Sequence, residues 1–195
     1  MGRLAYIFYV CGILAVLTLG MGQASAQEAF KQYANKDYTD AYKGFEKLAA
    51  NGDLNAMNNL GLMLVNGQGT TVDYAAAADW FEKAAKKGHI SAINNLGTLY
   101  ELGHGRQQNY QLAAQSYRVA ADRGMSDAQY NLAALYEQGN GVAKDPMQAY
   151  IWYGLAARAG DADAKAAQQK IRGTIQSNLL GQADAFIKSW QPMTK

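Results

Sequence analysis

Apolar residues recur along this chain in two alternating helical registers. Ala56, Leu60 and Leu64 fall every four residues and line one face of a 3.6-residue helix. Ala77, Phe81, Ala84 and Ala85 fall at i, i+4, i+7 and i+8 and line a second. Gly67 closes the first helix, because glycine enters the left-handed conformation that ends helices at low cost. A loop from Gly67 to Val72 leads to Asp73, whose carboxylate is placed to cap the second helix, and Gly88 ends that helix. The pattern predicts a helix pair.

The pair repeats every 36 residues. Gly52, Gly88, Gly124 and Gly160 hold this step, as do Ala49, Ala85, Ala121 and Ala157, and Ala41, Ala77, Ala113 and Ala149. The aromatic column reads Phe45, Phe81, Tyr117 and Tyr153. In the first helices the columns are Ala56/Ala92/Ala128, Leu60/Leu96/Leu132 and Leu64/Tyr100/Tyr136, followed by Gly67/Gly103/Gly139 and Gly69/Gly105/Gly141. Asp37, Asn109 and Asp145 stand at the cap position of Asp73, with Pro146 at the first helical position of its helix. One helix pair cannot bury its apolar face alone, so the units are expected to stack as an all-α solenoid of αα-hairpins. Residues 27–52 form an N-terminal segment and half-repeat matching only a second helix. Three full units follow at 53–88, 89–124 and 125–160. Residues 161–195 form a C-terminal cap, whose helix carries Ile175, Leu179, Ala183, Phe186 and Trp190 and ends at Pro192; a membrane-surface helix is the rival reading of this segment. Leu96 is expected in the core of the central unit, and its truncation is expected to cost more than replacing Gly105, a position that calls for positive φ.

These residues resemble the Sel-1-like repeat family, relatives of the tetratricopeptide repeats. The resemblance is carried by Ala92, Leu96-Gly97, Tyr100, Gly103-His104-Gly105, Asn109, Ala113, Ser116-Tyr117, Ala120-Ala121 and Gly124, and by Trp80 and Trp152 in the flanking units. Ser116 departs from the family tryptophan. The resemblance implies a right-handed solenoid with a C-terminal capping helix, working as a protein–protein interaction module. Cysteine-rich exported members show enzyme-like or drug-binding behaviour, but their cysteines are missing here, so that behaviour does not transfer.

Composition adds a destination. Arg3 precedes an almost wholly apolar run, Leu4 to Met21, and Ala24-Ser25-Ala26 supplies the small side chains that signal peptidase accepts. Residues 1–26 are expected to be a signal peptide cleaved between Ala26 and Gln27, giving a periplasmic or secreted protein with no stable membrane insertion. An uncleaved anchor is the alternative, since the run is long enough to span a bilayer. Cys11 is the only cysteine, so the mature chain has no disulfide. The 18 basic and 16 acidic residues form no long run of one sign, which argues against a nucleic-acid partner.

Chemistry is sparse. His89 and His104 are the only histidines; His104 reads as a solvated loop residue, and His89 as a permissive helix-start position shared with Asp53, Met125 and Asp161. The Gly-x-Gly pairs follow helices rather than strands and lack a third glycine, so they are not nucleotide loops. No nucleophile–base or zinc motif appears, and neither catalysis, a metal nor a cofactor is expected. Trp80 and Trp152 read as packing residues.

A candidate binding edge starts from Asn59, Asn95 and Asn131, each directly before a first-helix leucine and about 80° from the core stripe. Asn55, Ser91 and Asp127 share that edge. First helices line the inner curve in tetratricopeptide-like stacks, so the resemblance implies an asparagine ladder on a concave face. Its amides would donate to and accept from a bound peptide backbone. The alternative is that each amide only orients a neighbouring loop. The expected function is an exported adaptor or regulator binding a protein or peptide. A cell-wall or glycan-associated accessory factor, or an envelope hydrolase, is the alternative.

Overall fold

The structure, a computed structural model, describes residues 25–194; most of the expected signal peptide, including its apolar run and Ala24, lies outside the described residues. Among the described residues all regular structure is helical, and the chain divides into two compact units, Met1–Asp73 and Tyr74–Lys195.

The first unit holds α1 (residues 25–34), α2 (Tyr38–Ala50) and α3 (Leu54–Asn66). The repeat pattern assigns no first helix ahead of α2, yet α1 packs there. Ala29 lies against Gly44, and Phe30 meets the buried Phe45 edge-on at 5.0 Å between ring centroids. The connection is three residues, with Lys36 at φ 66°, instead of the long glycine loop of later units. Asp37 starts α2 without a side-chain cap bond, unlike the expectation.

The second unit holds α4 (Tyr74–Ala85), α5 (Ile90–Leu102), α6 (Tyr110–Asp122), α7 (Ser126–Gln138), α8 (Pro146–Arg158), α9 (Ala162–Ile171), a 3-10 turn (Arg172–Thr174) and α10 (Ser177–Ser189). Each helix from α4 to α8 packs on the next, and α10 packs on α8. The alanine columns are the seam: Ala77, Ala113, Ala149, Ala92 and Ala128 are fully buried. Gly97 sits under the Tyr117 ring, where a Cβ would come within 2.9 Å of it.

Caps set the helix starts. Asn109 accepts from the Leu112 N–H, and Asp145 from those of Met147 and Gln148. The position read as permissive is also a cap: Asp53, His89 and Asp161 each accept from the N–H three residues on, and only Met125 cannot. In the glycine loops, Gly103 and Gly139 end their helices in the left-handed region, and the loop closes through Asn109 N–H to Tyr100 O and Asp145 N–H to Tyr136 O. Gly105 and Gly141 hold φ 67° and 69°, and a Cβ on either would overlap the backbone of Tyr74 or Tyr110. Gly69 seats on Tyr38 in the same way.

Leu60 and Leu132 are fully buried, but Leu96 is only half-buried. The expectation that Leu96 outweighs Gly105 therefore reverses: Gly105 combines a left-handed φ with a backbone seat that admits no side chain.

Two buried phenols meet carboxylates at one 36-residue step. The Tyr117 hydroxyl donates to Glu101 Oε2 at 2.7 Å, and that of Tyr153 to Glu137 Oε2 at 2.9 Å. Burial first, then the neighbouring carboxylate, pushes both phenols well above the ordinary tyrosine range. The unit at 53–88 has Phe81 and Val65 in these columns, so the hydroxyl and the carboxylate are missing together.

The C-terminal helix docks because α8 is apolar nearly all round. Tyr150 through Ala156 are all buried. Gly154 stands where α4 has Glu82 and α6 has Arg118, and it lets Ile187 and Gln168 close on the helix. The packed stripe of α10 is Leu180, Ala183, Ile187 and Trp190, rotated from the expected one, and Phe186 is left 48% exposed. Arg158 donates to the carbonyls of Ile187, Lys188 and Trp190, closing the end of α10.

Candidate binding site

The asparagine column begins one residue outside the buried stripe, and its neighbours on the buried side are also amides. Asn58 and Asn94 are 8% and 6% exposed, next to half-buried Asn59 and Asn95. In the first unit Asn59 Nδ2 donates to the Asn55 carbonyl at 2.8 Å, one turn back on α3, and Asn55 itself is exposed. In the second unit Asn131 Nδ2 donates to Asn94 Oδ1 at 3.4 Å, linking α7 to α5. Thr98 Oγ1 donates to the Asn94 carbonyl. Ser91 and Asn131 are half-buried, and Asp127 is exposed at the start of α7.

Within the second unit, Asn94 and Asn131 are thus brought into contact between successive first helices. Asn59 and Asn131 each spend one donor within the fold, on helix groups rather than on a loop. Each amide keeps further hydrogen-bonding capacity, since an asparagine carries two N–H donors and an oxygen with two lone pairs. Amides of this kind are able to donate to and accept from a peptide backbone. Asn58 and Asn94 escaped the sequence reading, although their 36-residue spacing could have exposed them. Gln129 did too: it is 1% exposed and donates to the Ala121 carbonyl from a column otherwise occupied by Met57 and Ile93.

Other candidate groups have structural roles. His89 Nδ1 caps α5, and the His104 ring lies 4.4 Å from that of Tyr74. Trp152 is 4% exposed, whereas Trp80 is half-buried beneath the Lys83 ammonium, 3.9 Å from its ring centroid. Among the described residues no three His, Cys, Asp or Glu side chains gather where a metal could sit, and no helix is long and apolar enough to cross a membrane.

Stacked helix pairs with a polar, amide-bearing edge define the class of α-solenoid interaction proteins. The Sel1 repeat matches residues 54–89, 90–125 and 126–161, and the chain belongs to the Sel1 repeat family. The chain is similar to c5321, described as a protective antigen present in uropathogenic Escherichia coli strains displaying an SLR fold. Identity is 28% and the TM-score 0.74, over 86% of this chain and 37% of that one. It is also similar to a Sel1 repeat protein from Oxalobacter formigenes, at 31% identity and TM-score 0.68, over 73% of this chain and 59% of that one. Helicobacter pylori cysteine rich protein B aligns at 26% identity and TM-score 0.53, over 64% of this chain and 95% of that one. The chain thus spans less than two thirds of the length of the first two. A search of the curated proteins finds no match. Sel1 repeats generally serve as protein–protein interaction modules and as non-catalytic scaffolding.

Proposed function

We propose that this protein is an exported adaptor or regulator that holds a protein or peptide partner along the amide edge of α5 and α7. The carrying observation is the half-buried Asn95 and Asn131 on these successive first helices, with Asn131 keeping hydrogen-bonding capacity beyond its bond to Asn94. Export rests on the apolar run and the Ala24-Ser25-Ala26 site, with cleavage between Ala26 and Gln27. The test pairs Asn95→Ala with Asn131→Ala and compares partner capture from an envelope extract with the melting midpoint. Capture is expected to fall sharply, with a midpoint change no larger than the loss of the hydrogen bonds these two amides make in the fold, each worth about 1 kcal/mol. A large midpoint drop with undiminished capture per folded molecule would assign the asparagines to structure alone.

A further inference from the structure

We propose a second interaction surface on the Tyr74–Lys195 unit: a groove centred on Arg118 that takes a peptide carrying one acidic side chain between apolar ones. It does not rest on the asparagine edge, since neither Asn95 nor Asn131 lines it.

Arg118 stands in the wall shared by two cavities. One, of about 480 Å³, opens between α6, α8 and α10, with Ile151, Trp152 and Phe186 among its apolar lining. The other, of about 450 Å³, lies between α6, α7 and the loop after α7, with Ala114, Leu132 and Val142 among its lining. Both fall in the size range of sites that accept buried ligand groups. The exposed phenyl of Phe186 is an apolar surface that the fold leaves in water.

Arg118 makes no ion pair among the described residues; Asp122, one turn on along α6, acts on it from beyond ion-pair distance. Arg106 has Asp79 and Glu82, Arg172 has Asp184, and Arg158 has the carbonyls ending α10. Arg118 has a phenol and two ring faces: it donates to the Tyr136 hydroxyl and lies 4.9 Å from the Trp152 ring centroid. Among the described residues no carboxylate comes within ion-pair distance of it. Its column holds Glu46, Glu82 and Gly154 in the other units, so the cation is particular to this groove. Held over Trp152, the guanidinium keeps N–H donors in the planar fork that fits a carboxylate. A ligand acid there would complete the pair, and apolar side chains within two positions on either side would enter the two cavities.

Asp122 gives the groove direction. It lines only the cavity beside α10, at the C-terminal end of α6, and burial holds its carboxyl above the usual range, with Arg118 acting in the opposite sense. A second ligand acid on that side would be repelled.

The test is selection of a random heptapeptide phage library on the purified full chain at low salt, followed by fluorescence titration of a selected peptide. The selected sequences are expected to carry one Asp or Glu with large apolar neighbours on both sides. Changing that acid to its amide in the peptide, or Arg118→Gln in the protein, is expected to weaken binding at least about tenfold. Asp122→Asn is expected to tighten it about two- to fivefold, a direction that damage to the fold would not produce. Paired Asn95→Ala and Asn131→Ala should leave it unchanged. No enrichment, a consensus without an acid, indifference to the acid-to-amide change, or weakening by Asp122→Asn would overturn the proposal. Peptides lost with the asparagine variants but kept by Arg118→Gln would overturn it too, while upholding the amide edge.

Discussion

Removing the Tyr117–Glu101 hydrogen bond tests how this core tolerates polar groups. The Tyr117 side chain is 1% exposed, and its hydroxyl reaches both Glu101 Oε2 at 2.7 Å and Thr98 Oγ1 at 3.1 Å. A hydrogen bond to a charged group contributes about 1.5–3 kcal/mol, and an orphaned buried donor costs about as much. Glu101→Val leaves the phenol only the longer bond to Thr98 Oγ1 and is expected to cost about 1.5–3 kcal/mol. Tyr117→Phe leaves the carboxylate half-buried with water in reach and is expected to cost about 1–2 kcal/mol. The double variant recreates the Val65 and Phe81 combination of the preceding unit. It is expected to cost less than the sum of the singles by about 1–2 kcal/mol, the coupling typical of directly bonded groups. Urea unfolding measures all four proteins, and thermal melts are expected to shift by about 2–4 °C per kcal/mol. Additive costs would show that the bond contributes nothing as a pair and would refute the reasoning.

Gly105→Ala is expected to destabilise by more than about 2 kcal/mol, and Leu96→Ala by less than Leu132→Ala, which should fall near 2–5 kcal/mol; urea midpoints check the order. Gly154→Glu, which restores the residue of α4, is expected to push α10 off α8 while α4 to α7 keep their fold, read as faster amide exchange confined to residues 177–189. Stability is expected to hold up to about pH 9 and to fall above pH 10. There the unfolded chain loses tyrosine protons that Tyr117 and Tyr153 retain when folded, at about 1.4 kcal/mol per pH unit for each. Tyr117→Phe should remove its own share of that slope, and an unchanged slope would refute the assignment.

The helix pairs were legible because packing repeats: Ala77, Ala113 and Ala149 all face the same seam, so each unit confirms the next. Where the chain stops repeating, periodicity loses its force. α1 docks through Ala29 and Phe30 ahead of a three-residue turn, a geometry with no second copy to reveal it. The stripe of α10 was misjudged for a related reason. A helix outside the repeat admits neighbouring registers, and the choice was made by Gly154 on another helix, which opens room for Ile187. That glycine, together with Ile151 and Leu155 in place of Asp79 and Lys83, was a visible sign that α8 is covered on its outer side. Of the candidate edge, the spacing of the asparagines was readable, but their bonds were not. Whether an amide turns to its own helix, as Asn59 does, or to the preceding first helix, as Asn131 does, depends on angles that spacing does not encode.

The seat of Gly105 on the Tyr74 carbonyl, matched by Gly141 on Tyr110 and Gly69 on Tyr38, joins main chain to main chain. Such a joint is indifferent to the side chains around it, so the outer surface of each unit is free to diverge while the spacing between units stays fixed. Duplication of a whole unit preserves every joint, whereas gain or loss of one residue in a loop carries the glycine off its carbonyl and seats a side chain in its place. Gain or loss of a whole repeat, in steps of 36 residues, is therefore the change of length that leaves these joints in place.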